Sequence, residues 1–190
     1  MGERVDDPSL DELAAHLAKH PAATMQELAV AVGCSRSTLH RRYPRRDDLI
    51  DAITERALSA LGEVWARHDA DRWFADAADN AASTVSGYVT DLIDLGPYLL
   101  VIVRATLMTL SPSPDIAAMD AELEAAFRRG HRTGALDPDL SASWLVESLH
   151  ALVYTAWEQV AAGRLAPRDA ARSVITMWAQ GATGSRQQRS

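Results

Sequence analysis

Between Thr24 and Arg46 the chain sets two helix-start signals on either side of a glycine, and few folds accommodate that order. Thr24-Met25-Gln26-Glu27 is a capping box, in which the Thr hydroxyl and the Glu carboxylate each satisfy a backbone N–H that a first helical turn leaves unpaired. A short helix with Leu28, Ala29 and Val32 on one face should follow. Gly33 ends it, because glycine accepts the left-handed backbone of a helix terminus. Ser35 is then a good N-cap for a second helix over about Arg36 to Arg42. Two helices separated by three or four residues around a glycine make a helix-turn-helix. The second helix is short and polar, with only Leu39 and Tyr43 as anchors, so most of it should be exposed. Cys34 fits the turn as a small apolar residue, and a lone cysteine excludes an internal disulfide or a thiolate zinc cluster.

The flanking sequence continues the helical pattern. Ser9-Leu10-Asp11-Glu12 has the form of another capping box, opening a helix with Leu10, Leu13, Ala14 and Leu17 at helical spacing, which Pro21 stops. Asp47 and Asp48 suit the positive end of a longer helix that carries Leu49, Ile50 and Ile53 and runs to about His68. Beyond it, Gly96-Pro97, Ser111 to Pro114, Gly134 to Pro138 and Gly163 to Pro167 punctuate the chain. The segments between them predict helices over 71–94, 97–110, 115–133, 139–162 and 167–180, and a disordered tail over 181–190. Ala and Leu dominate, two-residue alternation is missing, and the 47% hydrophobic content is ample for a core, so the fold class is all-α.

Overall charge by itself argues against a nucleic-acid partner, since the chain is at −7. Location reverses that conclusion. From Ser35 to Arg46 there are five arginines, Arg36, Arg41, Arg42, Arg45 and Arg46, and no acid. With screening over about 10 Å, a phosphate backbone would meet this local +5 and little of the remaining acidity. The first eight residues hold Glu3, Asp6 and Asp7 and no apolar block, which is the wrong pattern for a secretory signal, and no apolar run reaches the roughly 18 residues of a membrane span. A cytoplasmic protein without a membrane is expected. His16 with His20, and Glu147 with His150, have spacings seen in metal sites but lack companion ligands, so no metal and no cofactor are expected. Without a nucleophile motif, a phosphate-binding glycine loop or a carboxylate pair, neither is an enzyme.

The run from Leu28 through Gly33-Cys34-Ser35-Arg36-Ser37-Thr38-Leu39-His40-Arg41-Arg42-Tyr43-Pro44-Arg45-Arg46 to Leu49 resembles, in order and spacing, the DNA-binding domain of TetR-type transcriptional regulators. The resemblance spans roughly residues 10–56. Departures are His40 in place of the usual tyrosine, Tyr43 for phenylalanine, Arg46 for lysine, and Arg45 where a Ser or Asn cap is common. A basic N-terminal arm is absent, with only Arg4 among acids. A helix in the major groove turns its N-terminal residues to base edges while its flanks hold phosphate. Arg36, Ser37 and Arg41, with Gln26 from the preceding helix, are therefore base-reading candidates. The resemblance assigns Thr24, Thr38, His40, Tyr43 and Arg46 to phosphate.

For the rest of the chain the resemblance implies a three-helix DNA-binding domain over 1–46, a connecting helix over 47–69, and a helical effector-binding and dimerisation domain over 70–180. The implied function is a repressor released from operator DNA by a small-molecule effector; a dimeric helical interaction protein with lost or unregulated DNA binding is the alternative. So short a reading helix favours a two-fold homodimer on paired half-sites. The family's dimer helices would here be 139–162 and 167–180, offering Leu145, Leu149, Leu152, Val153, Ala156 and Val160, with Ile175 and Trp178 opposite. Tyr88, Met108, Phe127 and Tyr154, together with Trp65, Trp73 and Trp157, are the aromatic and sulfur-bearing candidates for an effector pocket. Arg104 interrupts Leu99 to Val103 and Leu107-Met108, and a buried arginine needs an anionic partner. Glu147 or an acidic ligand could provide it.

Overall fold

Helix is what the Ala- and Leu-rich pattern dictates, and helix is what forms. The computed structural model describes residues 8–76, 79–106 and 114–183, and among these it has nine α-helices and no strand. They are α1 (Leu10–Lys19), α2 (Met25–Ala31), α3 (Arg36–Arg42), α4 (Arg46–His68), α5 (Ala81–Asp94), α6 (Gly96–Thr106), α7 (Pro114–Thr133), α8 (Ala142–Ala161) and α9 (Pro167–Ala182), with a 3-10 turn at Ala70–Arg72. No single helix among them is long and apolar enough to cross a membrane.

The chain divides into two compact units. The first gathers the residues up to Ala60 with those from Leu95 through α6. Its core is Leu13, Ala14 and Leu17 of α1, Leu28 and Ala29 of α2, Leu39 and Tyr43 around α3, and Leu49 and Ile53 of α4, all buried. The helix α6, expected to belong with the 70–180 region, packs on α1. Tyr98 of α6 donates its hydroxyl to the Asp11 carboxylate, and the Arg56 guanidinium lies 5.9 Å from the Tyr98 ring. Arg104 donates to the Ala18 carbonyl at 2.7 Å, so the cation meets the electron-rich C-terminal end of α1. Glu147, the residue offered for Arg104, is exposed on α8 of the other unit, where its charge acts on Asp120 and His150.

The second unit comprises Leu61–Asp94 and the helices α7, α8 and α9. Two buried indoles tie its helices together. Trp157 of α8 donates to the Leu92 carbonyl of α5, and Trp178 of α9 donates to the Leu145 carbonyl of α8, each at 3.0 Å. Phe127 stacks against Trp178 at 5.1 Å and meets Phe74 at 6.1 Å, pairs that contribute about 0.5–1.5 kcal/mol each beyond the area they bury.

Three local expectations need correction. The helix predicted over 71–94 starts only at Ala81. The segment before it is bent by positive φ at Asp69 (41°) and at fully buried Phe74 (57°), and Arg129 of α7 fixes the bend by donating to the carbonyls of Ala70 and Trp73. Positive φ is costly for such residues, so tertiary anchoring decides here. Ser9 takes the extended N-cap backbone without a side-chain cap bond, so the first capping box is not formed. The start of the expected tail, Gly181 and Ala182, still belongs to α9, and the remainder from 184 onward lies outside the described residues.

Candidate nucleic-acid interface

The caps that frame the helix-turn-helix form as their chemistry predicts. Glu27 N–H donates to the Thr24 hydroxyl at 3.3 Å, while the Glu27 carboxylate accepts from the Thr24 backbone at 2.7 Å and from its hydroxyl at 2.9 Å. These bonds hold the Glu27 carboxyl below the ordinary carboxylate range, the Thr24 backbone N–H contributing most. Gly33 follows with φ of +69°. The Ser35 hydroxyl then accepts from the Thr38 N–H at 3.0 Å, and it shares further hydrogen bonds with the hydroxyls of Ser37 and Thr38. At the next helix Asp48 supplies what Arg45 cannot: its carboxylate accepts from the Arg45 backbone N–H at 2.8 Å and pairs with the Arg45 guanidinium at 3.0 Å. A cap reaching back from the third helical residue was the signal missed in the sequence.

The five arginines fall into two classes. Arg36 and Arg41 are exposed on α3, with no hydrogen bond or ion pair to another described residue. His40 and Gln26 are likewise exposed. The other three are engaged by the protein. Arg42 donates through Nε to the Tyr43 hydroxyl at 3.1 Å, Arg45 pairs with Asp48, and Arg46 donates to the Pro21 carbonyl at 2.7 Å and to the Ala23 carbonyl. Arg46 thereby clamps the turn between α1 and α2. Thr38 and Tyr43 are buried at 9% and 6% exposure, and Thr24 directs its hydroxyl into its own capping box. Of the residues assigned to phosphate, only His40 stands exposed without an internal bond of its own.

Such a short helix, capped by serine and showing two arginines that bond no other described residue, can read a groove. Among the described residues there is no group of three or more His, Cys, Asp or Glu placed to hold a metal ion. No family model matches the chain. It is 29% identical over 157 residues to the HTH-type transcriptional repressor LfrR of Mycolicibacterium smegmatis, covering 82% of this chain and 79% of that one. To the HTH-type transcriptional regulator NfxB of Pseudomonas aeruginosa it is 27% identical over 94% of both chains. The crystal structure of the TetR-like regulator LfrR from Mycobacterium smegmatis in complex with proflavine superposes with a TM-score of 0.63 at 25% identity, covering 90% of this chain and 92% of that one. In sequence the chain is similar to HTH-type transcriptional regulators, and in fold to a TetR-like one. Its relatives are transcriptional regulators, and neither is named as an enzyme.

The other expected sites are scattered more unevenly. Tyr88 and Phe127 are buried, Tyr154 is half-buried and donates to Glu158 at 2.9 Å, and Met108 lies outside the described residues. Arg104 lies in the other unit, with Arg46, Leu17, Pro21, Ile50 and Val101 around a cavity of about 250 Å³. Leu145, Leu149, Val153, Ala156 and Trp178 are buried by the chain's own α8 and α9 packing, and Leu152, Val160 and Ile175 are half-buried. The large apolar side chains these helices leave outside are Trp144, 62% exposed, and Met177, 63% exposed. Trp178, which donates to the Leu145 carbonyl, is itself buried between these helices.

Proposed function

We propose that the chain is a sequence-specific DNA-binding repressor that works as a homodimer and leaves its operator when a small molecule binds. One observation carries the DNA-binding part: Arg36 and Arg41 stand exposed on a capped reading helix, unpaired with any described residue. In a major groove each could bridge the O6 and N7 of a guanine, and Gln26 could pair with an adenine. The LfrR likeness, including its proflavine complex, supports repression and response to a small molecule. The exposed Trp144 and Met177 support a second copy as the partner of α8 and α9, because large apolar side chains left outside the chain's own core are the kind that an interface covers. A dimer would carry two reading helices to two half-sites.

The test is titration of an inverted repeat, taken from DNA upstream of the gene, at several salt concentrations. Specific binding should exceed that to scrambled DNA by about 10³-fold or more. Arg36→Ala and Arg41→Ala should each cost about 1–3 kcal/mol on the repeat while leaving binding to scrambled DNA nearly unchanged. Equal affinity for repeat and scrambled DNA, or none for either, would leave the interaction-protein reading in possession.

A further inference from the structure

We propose that the cavity between α1, α4 and α6 is a binding site for a small organic carboxylate. Its walls are Leu17 of α1, Pro21 just beyond that helix, Arg46 and Ile50 in the first two turns of α4, and Val101 and Arg104 of α6. All six belong to the first unit, apart from the region where an effector pocket is expected. The volume is about 250 Å³, below the roughly 300–1,000 Å³ of pockets that take drug-sized ligands, so the occupant is small.

Two guanidiniums line this space and no carboxylate does. An arginine keeps its charge at any ordinary pH. Arg46 is half-buried, and both of its hydrogen bonds go to neutral carbonyls, those of Pro21 and Ala23. No carboxylate of a described residue pairs with it: Asp48 is engaged by Arg45, and Asp47 is exposed. Arg104, also half-buried, donates to the Ala18 carbonyl at 2.7 Å and brings a second positive charge to the same cavity. Carbonyl oxygens carry only partial charge, and a partly desolvated cation is best completed by an anion that accepts charge-assisted hydrogen bonds. The planar guanidinium fork matches the two oxygens of a carboxylate.

The remaining walls decide what stands behind those oxygens. Leu17, Pro21, Ile50 and Val101 offer aliphatic surface, which a free inorganic anion would leave uncovered while losing its own hydration. A neutral apolar molecule would cover that surface and leave the arginines unanswered. A metal cation would be repelled. An acid with a compact apolar body meets both demands.

The unaltered full-length chain is titrated calorimetrically with benzoate, with benzamide as its uncharged counterpart and with inorganic phosphate as an anion lacking an apolar body. Benzoate should bind at one site, benzamide at least about tenfold more weakly, and phosphate more weakly than benzoate. Saturating benzoate should raise the melting temperature, because only the folded cavity binds it. Nuclear Overhauser contacts from the ring protons of bound benzoate should reach the methyl groups of Leu17, Ile50 and Val101. Ile50→Phe fills the space and keeps both arginines, whereas Arg104→Gln removes one charge and keeps a donor for the Ala18 carbonyl. Each, when folded, should weaken benzoate by about tenfold or more. Benzoate that fails to bind, binds away from those methyl groups, or binds no tighter than benzamide overturns the site. Phosphate binding as tightly as benzoate overturns the organic acid as its ligand. None of these measurements uses DNA, so failure here is distinct from failure of the repressor reading.

Discussion

Arg46 and Arg36 carry the same side chain ten residues apart, and the fold puts them to opposite uses. Arg46 closes the turn between α1 and α2 through two carbonyls, whereas Arg36 points out of α3 with nothing of its own to hold. Arg46→Met keeps the length and removes the donors, which should cost about 1–3 kcal/mol in urea denaturation. The charge run was plain in the sequence; which charges stay available was not, because Pro21 and Ala23 are distant in the chain from Arg46 and close only in space. Acid stability also belongs to single residues. Glu27, Asp48 and Asp91 all have pKa values held below their ordinary range, Glu27 and Asp48 by their cap bonds and Asp91 by His68 and Arg67 despite an opposing desolvation. A depressed folded pKa means that these groups stabilise above the unfolded value of about 4 and lose that contribution as pH falls through the folded value. Thermal melts from pH 5 to pH 2 should therefore fall steeply, and Asp91→Asn should flatten the decline. A melting temperature that holds level to pH 2 in the unaltered chain would remove these carboxylates from the account.

The elements best read from sequence were those whose ends are decided locally. Thr24 with Glu27, Gly33 and Ser35 set the limits of α2 and α3 through bonds that span three residues or fewer, so reading them needed no knowledge of the fold. The start of α5 was misread because its approach is decided by Arg129, more than 50 residues away, and the available local sign was Asn80, whose side chain accepts from the Ala82 N–H at 2.9 Å. For α8 and α9 the apolar spacing was legible and its addressee was not. Leu149 and Val153 recur at helical intervals whether they face their own core or another chain, and periodicity alone does not separate the two. Exposure does. Changing Trp144 and Met177 together to Glu should turn the proposed dimer into monomer in sedimentation velocity, with the melting temperature of the monomeric fold little altered, since neither residue is buried within the chain. A variant pair that stays dimeric would move the interface elsewhere.

At the scale of the molecule, the DNA-reading unit is discontinuous in sequence. Its residues up to Ala60 depend on α6, which returns to cover α1 after the intervening Leu61–Asp94 has been placed in the other unit. Leu99, Leu100, Val101 and Ile102 of α6 are all buried, and Asp11 and Ala18 of α1 take their partners from α6. A fragment covering residues 1–60 should therefore show less helix by circular dichroism than its share of the intact fold, and it should melt without a cooperative transition. A fragment that melts cooperatively would show α6 to be dispensable. The repeat of the helix-turn-helix pattern across many regulators invites the idea that reading heads are interchangeable cassettes. Here a crossover between genes at residue 60 would separate the head from the helix that completes it, so a hybrid regulator that inherits this specificity has to inherit α6 as well.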